Sequence, residues 1–200
     1  WGNGVETYLV GPNNHPVIFA GTIGLRKSIF INKPSGIVSL TANLNLSGGL
    51  QNINVISGTL DLNGFNLYLG GTLKNAGLIK LIGSEVATLG GLDNSGQGTV
   101  SYYGTGTYSS LALGDDYYHL AVAGNVTQDY QLSVLGNLNI TGTLNSNGYN
   151  LYLAGNFNNS GTYTSGANSV YLIGNHQSIT GSNSFNNLIK RNNTSASLTF

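Results

Sequence analysis

One stretch of twenty residues occurs twice, and this repetition constrains the fold more than any other property of the chain. GTLDLNGFNLYLGGTLKNAG runs from Gly58 to Gly77 and GTLNSNGYNLYLAGNFNNSG from Gly142 to Gly161, identical at 12 of 20 positions without a gap. In the first copy Leu60 and Leu62 alternate with polar residues, Asn63-Gly64 interrupts, and Leu67 and Leu69 alternate again. Alternation at period two is the pattern of a strand with one buried face. Asn-Gly is a strong turn signal because both residues tolerate positive φ. The stretch therefore reads as strand, tight corner, strand. The corner alone leaves an antiparallel hairpin open.

A second echo narrows the topology. Leu73-Lys74-Asn75-Ala76-Gly77 recurs 19 residues later as Leu92-Asp93-Asn94-Ser95-Gly96, whereas the later copy runs directly into Ser169-Val170-Tyr171-Leu172, read as the counterpart of Thr99-Val100-Ser101-Tyr102. A unit of about 19 residues that is present once and absent once, with the register recovering afterwards, is how a solenoid changes length. Three strands of three to five residues and three corners fit such a coil. The predicted class is all-β: a right-handed parallel β-helix with essentially no α-helix.

Composition agrees with a surface that is polar without being charged. Seven Lys plus Arg balance seven Asp plus Glu, so there is no electrostatic footprint for nucleic acid. Asn takes the place of charge, with 28 residues beside 30 Gly. Stacked Asn side chains can hydrogen-bond from coil to coil as ladders. The 40% hydrophobic content, in strict alternation, argues against low-complexity disorder. The chain contains no Cys and no Met, which removes thiol chemistry and fits an exported setting. The initial Trp1 reads as the start of a processed chain or an excerpt. No apolar run reaches membrane-spanning length, so no membrane insertion is expected.

Along the chain, residues 1–16 read as an irregular segment or cap and 17–200 as continuous solenoid. Short strands are expected at Val17 to Ala20, Ile29 to Lys33, Ile37 to Leu40, Asn43 to Leu46, Asn52 to Val55, Leu111 to Leu113 and His119 to Val122. A second pass follows through Leu132, Leu138, Val170 and Leu188. Modules open near Ile29, Leu120 and Leu188.

Asn137 to Ile140, Gly142 to Gly161, Ser169 to Gly174, Gln177 to Gly181 and Phe185 to Ile189 together resemble the repeats of large secreted bacterial surface proteins, the adhesin or filamentous-haemagglutinin-like β-helices. The resemblance spans roughly residues 17 to 200. It implies a fold and an extracellular or cell-surface location, and it carries no catalytic residues.

Candidate sites follow from what such a surface exposes. Tyr68 and Tyr152 occupy equivalent outward positions, and Tyr102, Tyr103, Tyr117 and Tyr118 crowd one module. These rings can stack on sugars, form a lateral protein contact, or zip their own sheet. Leu198, Thr199 and Phe200 form an uncharged, Pro-free end that reads as an end-to-end assembly edge. Asp115-Asp116 is the one adjacent acidic pair and reads as a solvated corner. His15, His119 and His176 lack metal spacing, and the pairs Arg26-Lys27 and Lys190-Arg191 read as solvated edges. No metal, cofactor or enzymatic activity is expected. The expected function is a structural shaft of a surface fibre or long adhesin that contacts itself end to end or laterally. A polysaccharide-binding adhesin module is the alternative, and a polysaccharide lyase the third reading.

Overall fold

The structure, a computed structural model, describes residues 6–17, 28–191 and 197–200, with the side chains of 15–17 excepted. Every strand pairing among the described residues is parallel, and none of those residues is helical. The chain forms two compact units, Trp1–Thr99 and Val100–Phe200. Each is a parallel β-solenoid with about 20 residues per coil.

The second unit shows the coil plainly. Its first face stacks Thr107–Tyr108, Asn125–Thr127, Thr143–Asn145 and Thr162–Thr164. The next stacks Asp116–Tyr117, Leu132–Val134, Leu151–Leu153, Ser169–Leu172 and Asn187–Lys190. The third stacks His119–Val122, Leu138–Ile140, Phe157–Asn159, His176–Thr180 and Ser197–Thr199. Three short strands per coil is the arrangement that the repeat length predicts. Leu132, Leu151 and Val170 fall in register, as do Leu138, Phe157 and Ile179. Like residues therefore cover like residues along the core, with Leu132, Leu138, Leu144, Leu151 and Leu153 all fully buried. Burying one such leucine contributes about 1.5–3 kcal/mol, and only the neighbouring coils supply that cover.

The first unit uses the same inward alternation in longer strands. Ile29–Leu40 runs unbroken where two strands separated by Pro34-Ser35-Gly36 were expected, and its register shifts twice against Ile53–Asp61. The bulge absorbs the proline, which cannot donate to a ladder. Thr7–Val10, within the segment expected to be irregular, is a strand paired with Ile29 to Asn32. His15–Val17 pairs with Val38 to Leu40. Of the expected strand at Val17 to Ala20 only Val17 is described, within His15–Val17; Ile18 to Ala20 lie outside the described residues, as do Arg26-Lys27.

The repeated stretch adopts the same corner twice. Asn63 and Gly64 have φ of 51° and 83°, and Asn147 and Gly148 have 51° and 83°. The amide of Phe65 donates to Leu62 O at 2.8 Å and that of Tyr149 to Ser146 O at 2.9 Å. Positive φ at both central residues is the conformation that the Asn-Gly pair permits. The 19-residue echo is also a true coil step, since Leu73 pairs with Leu92 and Lys74 with Asp93. Two equivalences do not hold. Ser169–Leu172 belongs to the second face whereas Thr99–Tyr102 shares a sheet with His119–Val122, and Leu188 lies on the second face whereas Leu120 lies on the third. The alternation is the same on every face, so it does not distinguish one face from another.

Asn residues close the corners by a mechanism finer than amide stacking. Asn156 N donates to Asn137 Oδ1 at 2.9 Å, and Ser178 N donates to Asn156 Oδ1 at 2.8 Å. In the first unit Asn66 N donates to Asn43 Oδ1 and Val86 N to Asn66 Oδ1, both at 2.8 Å. Each side chain thus accepts a backbone amide from the following coil at a corner where the ladder is interrupted. Side-chain stacking occurs as well: Asn158 Nδ2 donates to Asn139 Oδ1 at 2.8 Å.

Candidate functional site

The second unit gathers the candidate residues in three places: an outer aromatic strip, a buried tyrosine pair, and the edge at Leu198 to Phe200. The strip follows from register. On the second face Ser133, Tyr152, Tyr171 and Ile189 align as one outward column. Tyr152 and Tyr171 stack with centroids 4.6 Å apart and planes 15° from parallel. The Arg191 guanidinium lies 4.2 Å from the Tyr171 ring centre, a distance at which the ring quadrupole attracts the cation. The rings therefore spend much of their apolar surface on one another and on the arginine. This is the ladder arrangement, and it withdraws from Tyr171 the open face that a sugar ring needs.

One step further along each of these strands lies a second outward column. The amides of Leu135, Ala154, Ile173 and Arg191 donate to Tyr117 O, Val134 O, Leu153 O and Leu172 O respectively, which places them one above another. Leu135 is 56% exposed and Ile173 37%. Sequence reasoning missed this column. Its signal was present, because the period-two pattern of Leu132 to Leu135 and Val170 to Ile173 continues past the strand ends.

Tyr102 and Tyr117 depart from the expected exposed face. Both are fully buried, with hydroxyls 2.9 Å apart and rings edge to face at 6.4 Å. Period two explains this: Val100 and Tyr102 point inward together, leaving Tyr103 half-buried, and Tyr117 points inward while Tyr118 is half-buried. Leu111 to Leu113, expected as a strand, belongs to a turn in which Gly114 N donates to Leu111 O at 2.9 Å. Burial pushes the Tyr117 hydroxyl well above its ordinary range, with the Tyr102 hydroxyl adding to the shift.

Comparison with protein-family models, curated proteins and solved structures finds no match.

The argument for function therefore rests on geometry. At the C-terminal edge, Thr162–Thr164, Asn187–Lys190 and Ser197–Thr199 each end their stack among the described residues. Phe200 is 83% exposed there, Thr199 is exposed and Leu198 is half-buried. Phe200 and Phe185 line an open cleft with Ile179, Thr180, Gly181 and Asn183. Phe185 packs edge-on to Phe157, which is itself buried beneath Tyr163.

Tyr68, in the first unit, is half-buried and receives a hydrogen bond from Asn66 Nδ2 at 3.3 Å. Its register partners are Asn45 and Thr88, so it lacks the aromatic neighbours of its counterpart Tyr152. Asp115 carries one carboxylate oxygen that is buried without a partner, and burial raises its pKa, with Asp129 and Asp116 adding to the shift. Asp116 is exposed at the start of the second face. His119 accepts the Asn137 amide at 2.8 Å and His176 meets the Ser197 hydroxyl at 2.9 Å, so both belong to the coil-to-coil framework. The side chain of His15 lies outside the described residues. Among the described residues no group of three His, Cys, Asp or Glu side chains is placed to hold a metal ion.

Proposed function

We propose that this chain is a non-enzymatic structural element of the cell exterior, a shaft segment of a surface fibre or long adhesin that extends by adding coils to its C-terminal edge. The observation that carries the reading is the state of that edge. Three parallel strand stacks end there, above a core whose last layer is the exposed Phe200 and the half-buried Phe185. Open strand edges beside an apolar core are templates for further pairing, and solenoids that end in solution cover them. No charge or proline blunts Ser197 to Phe200. A further coil supplies the complementary surface, from a continuation of the chain or from a second copy; from a second copy the contact is head to tail and repeats without closing. The resemblance of the repeats to those of secreted bacterial surface proteins, with the neutral, Asn-rich, Cys-free composition, supports the exterior setting.

The alternative, a polysaccharide-binding module, keeps Tyr68 among its candidate rings, whereas Tyr171 is already covered by Tyr152 and Arg191. The test is electron microscopy with sedimentation of the 200-residue chain and its Phe200→Asp variant. Concentration-dependent filaments that the variant shortens or abolishes, at unchanged thermal stability, are expected. Monodisperse particles from the unaltered chain at every concentration would overturn end-to-end assembly.

A further inference from the structure

The two outward columns on the second face have a charge order that selects a partner. Asp116 is exposed at one end and Arg191 at the other, one on the first strand of the face and one just beyond the last. Between them Tyr118, Leu135, Ala154 and Ile173 form an uncharged strip, flanked by the stacked Tyr152 and Tyr171. The strip crosses four coil steps, about 19 Å at ~4.8 Å per step.

We infer that this strip is a lateral docking surface for a second copy of the same chain, running antiparallel. A parallel neighbour would set Asp116 against Asp116 and Arg191 against Arg191. The antiparallel neighbour instead brings its Arg191, exposed beside its own Tyr171 ring, towards Tyr118, two residues along the strand from Asp116, whose carboxylate favours a guanidinium. The same rotation sets Leu135 against Ile173 and Ala154 against itself. Ala154 is the middle residue of its column, and its small side chain lets the two faces approach where the two-fold axis passes. A self-complementary patch of this kind is what an isologous contact requires.

The size of the strip fixes its role. A contact about 19 Å long and one column pair wide falls well short of the ~800 Å² per partner of a stable interface. One pair of chains associates transiently, while chains already joined end to end present the strip repeatedly and gain by effective concentration. The inference thus rests on the shaft reading for its biological consequence. Its test does not, because pairs can be trapped in chains that cannot stack.

The absence of cysteine from the chain makes the trap simple. Facing sheets lie ~10 Å apart, beyond the ~5.5–6 Å Cα separation of a disulfide, so a short homobifunctional thiol cross-linker is the probe. In the Phe200→Asp background, Ala154→Cys is expected to cross-link to itself. Leu135→Cys mixed with Ile173→Cys is expected to cross-link at least several-fold faster than either alone. Arg191→Glu should slow trapping at position 154 about tenfold, and the double change Asp116→Arg with Arg191→Glu should restore it. Preferential self-linking of Leu135→Cys would overturn the antiparallel geometry. No trapping at position 154, together with strip-dependent retention on an immobilised polysaccharide, would assign the strip to a glycan and overturn the pairing. Trapping at position 154, with no filaments from the chain that keeps Phe200 at any concentration, would count against the shaft reading alone.

Discussion

Tyr102 and Tyr117 meet inside the second unit, hydroxyl to hydroxyl at 2.9 Å, and together clamp the turn that ends at Gly114. The Leu113 amide donates to the Tyr102 hydroxyl at 3.1 Å, and the Tyr117 hydroxyl donates to Gly114 O. The Tyr117 proton is thereby committed, so the Tyr102 hydroxyl donates to Tyr117. Tyr117→Phe removes the acceptor of the buried Tyr102 hydroxyl and the donor to the part-buried Gly114 carbonyl, and should destabilise the chain by about 1–3 kcal/mol. The double change Tyr102→Phe with Tyr117→Phe should cost clearly less than the sum of the single changes. Urea denaturation of the four proteins measures the coupling, and strict additivity would show that the hydroxyls do not act as a unit.

Two tyrosines should make the fold sensitive to alkali. Burial raises the Tyr163 pKa to about 12 and pushes that of Tyr117 well above its ordinary value of 10.0. The unfolded chain releases these protons first, near pH 10, while the folded chain retains them. Stability is therefore intact below about pH 10 and falls as pH rises beyond it, by about 1.4 kcal/mol per pH unit for each tyrosine. Denaturation between pH 9 and 12 should give a shallower fall for Tyr117→Phe than for the unaltered chain.

What the sequence disclosed and what it concealed have one physical origin. Leu60, Leu62, Leu67, Leu69, Leu144, Leu151 and Leu153 were legible as core because a strand allows a side chain only two directions, and all seven are buried. The Asn63-Gly64 and Asn147-Gly148 corners were legible because few other residue pairs accept positive φ twice. Tyr102 and Tyr117 were misplaced because tyrosine is amphipathic, and a hydroxyl can be satisfied either by water or by a partner that only folding brings near. Lys33, fully buried with its ammonium donating to Val10 O at 3.1 Å, was hidden for the same reason. The outer strip was missed because only the coil-to-coil register aligns Leu135 and Ile173 with Ala154 and Arg191, and alternation within one strand does not show that register.

Close approach between coils should make glycine at one corner far harder to replace than glycine at another. A Cβ on Gly142 would lie 2.2 Å from Gly124 O and 2.4 Å from Ala123 O, whereas a Cβ on Gly148 meets nothing within 4 Å. Gly142→Ala must move backbone and should cost more than ~3 kcal/mol or abolish folding. Gly148→Ala meets only the penalty of its positive φ, about 1–2 kcal/mol. Comparable chemical-denaturation midpoints for the two variants would contradict the contact at Gly142.

Neighbouring asparagines should differ in the same way. Asn159 is buried, its Oδ1 accepts the Gly161 amide at 3.0 Å, and its Nδ2 donates to Asn183 Oδ1 at 2.9 Å. Asn158, half-buried on the outer side, bonds to Asn139 and Thr180. Asn159→Ala should cost about 1–3 kcal/mol through the groups left unsatisfied, and Asn158→Ala about 1 kcal/mol or less, since water replaces its partners. Thermal unfolding of the two variants ranks them directly.

His119 begins a column that asparagine continues, which gives the fold an acid sensitivity that one substitution should remove. His119, Asn137 and Asn156 precede the aligned Leu120, Leu138 and Phe157, and each accepts a backbone amide from the following coil. The imidazole accepts through Nδ1, so its proton must sit on Nε2, and protonating Nδ1 breaks the bond to Asn137 N. Burial lowers the His119 pKa below its ordinary value of 6.5. The unfolded chain therefore binds this proton first as pH falls. Stability is fully present above about pH 6.5 and is lost as pH drops from there to the folded-state pKa. His119→Asn keeps an acceptor at this position and carries no titratable group. Its unfolding temperature should match that of the unaltered chain at pH 7.5 and exceed it at pH 5, and a parallel decline of the two proteins would show that the acid sensitivity arises elsewhere.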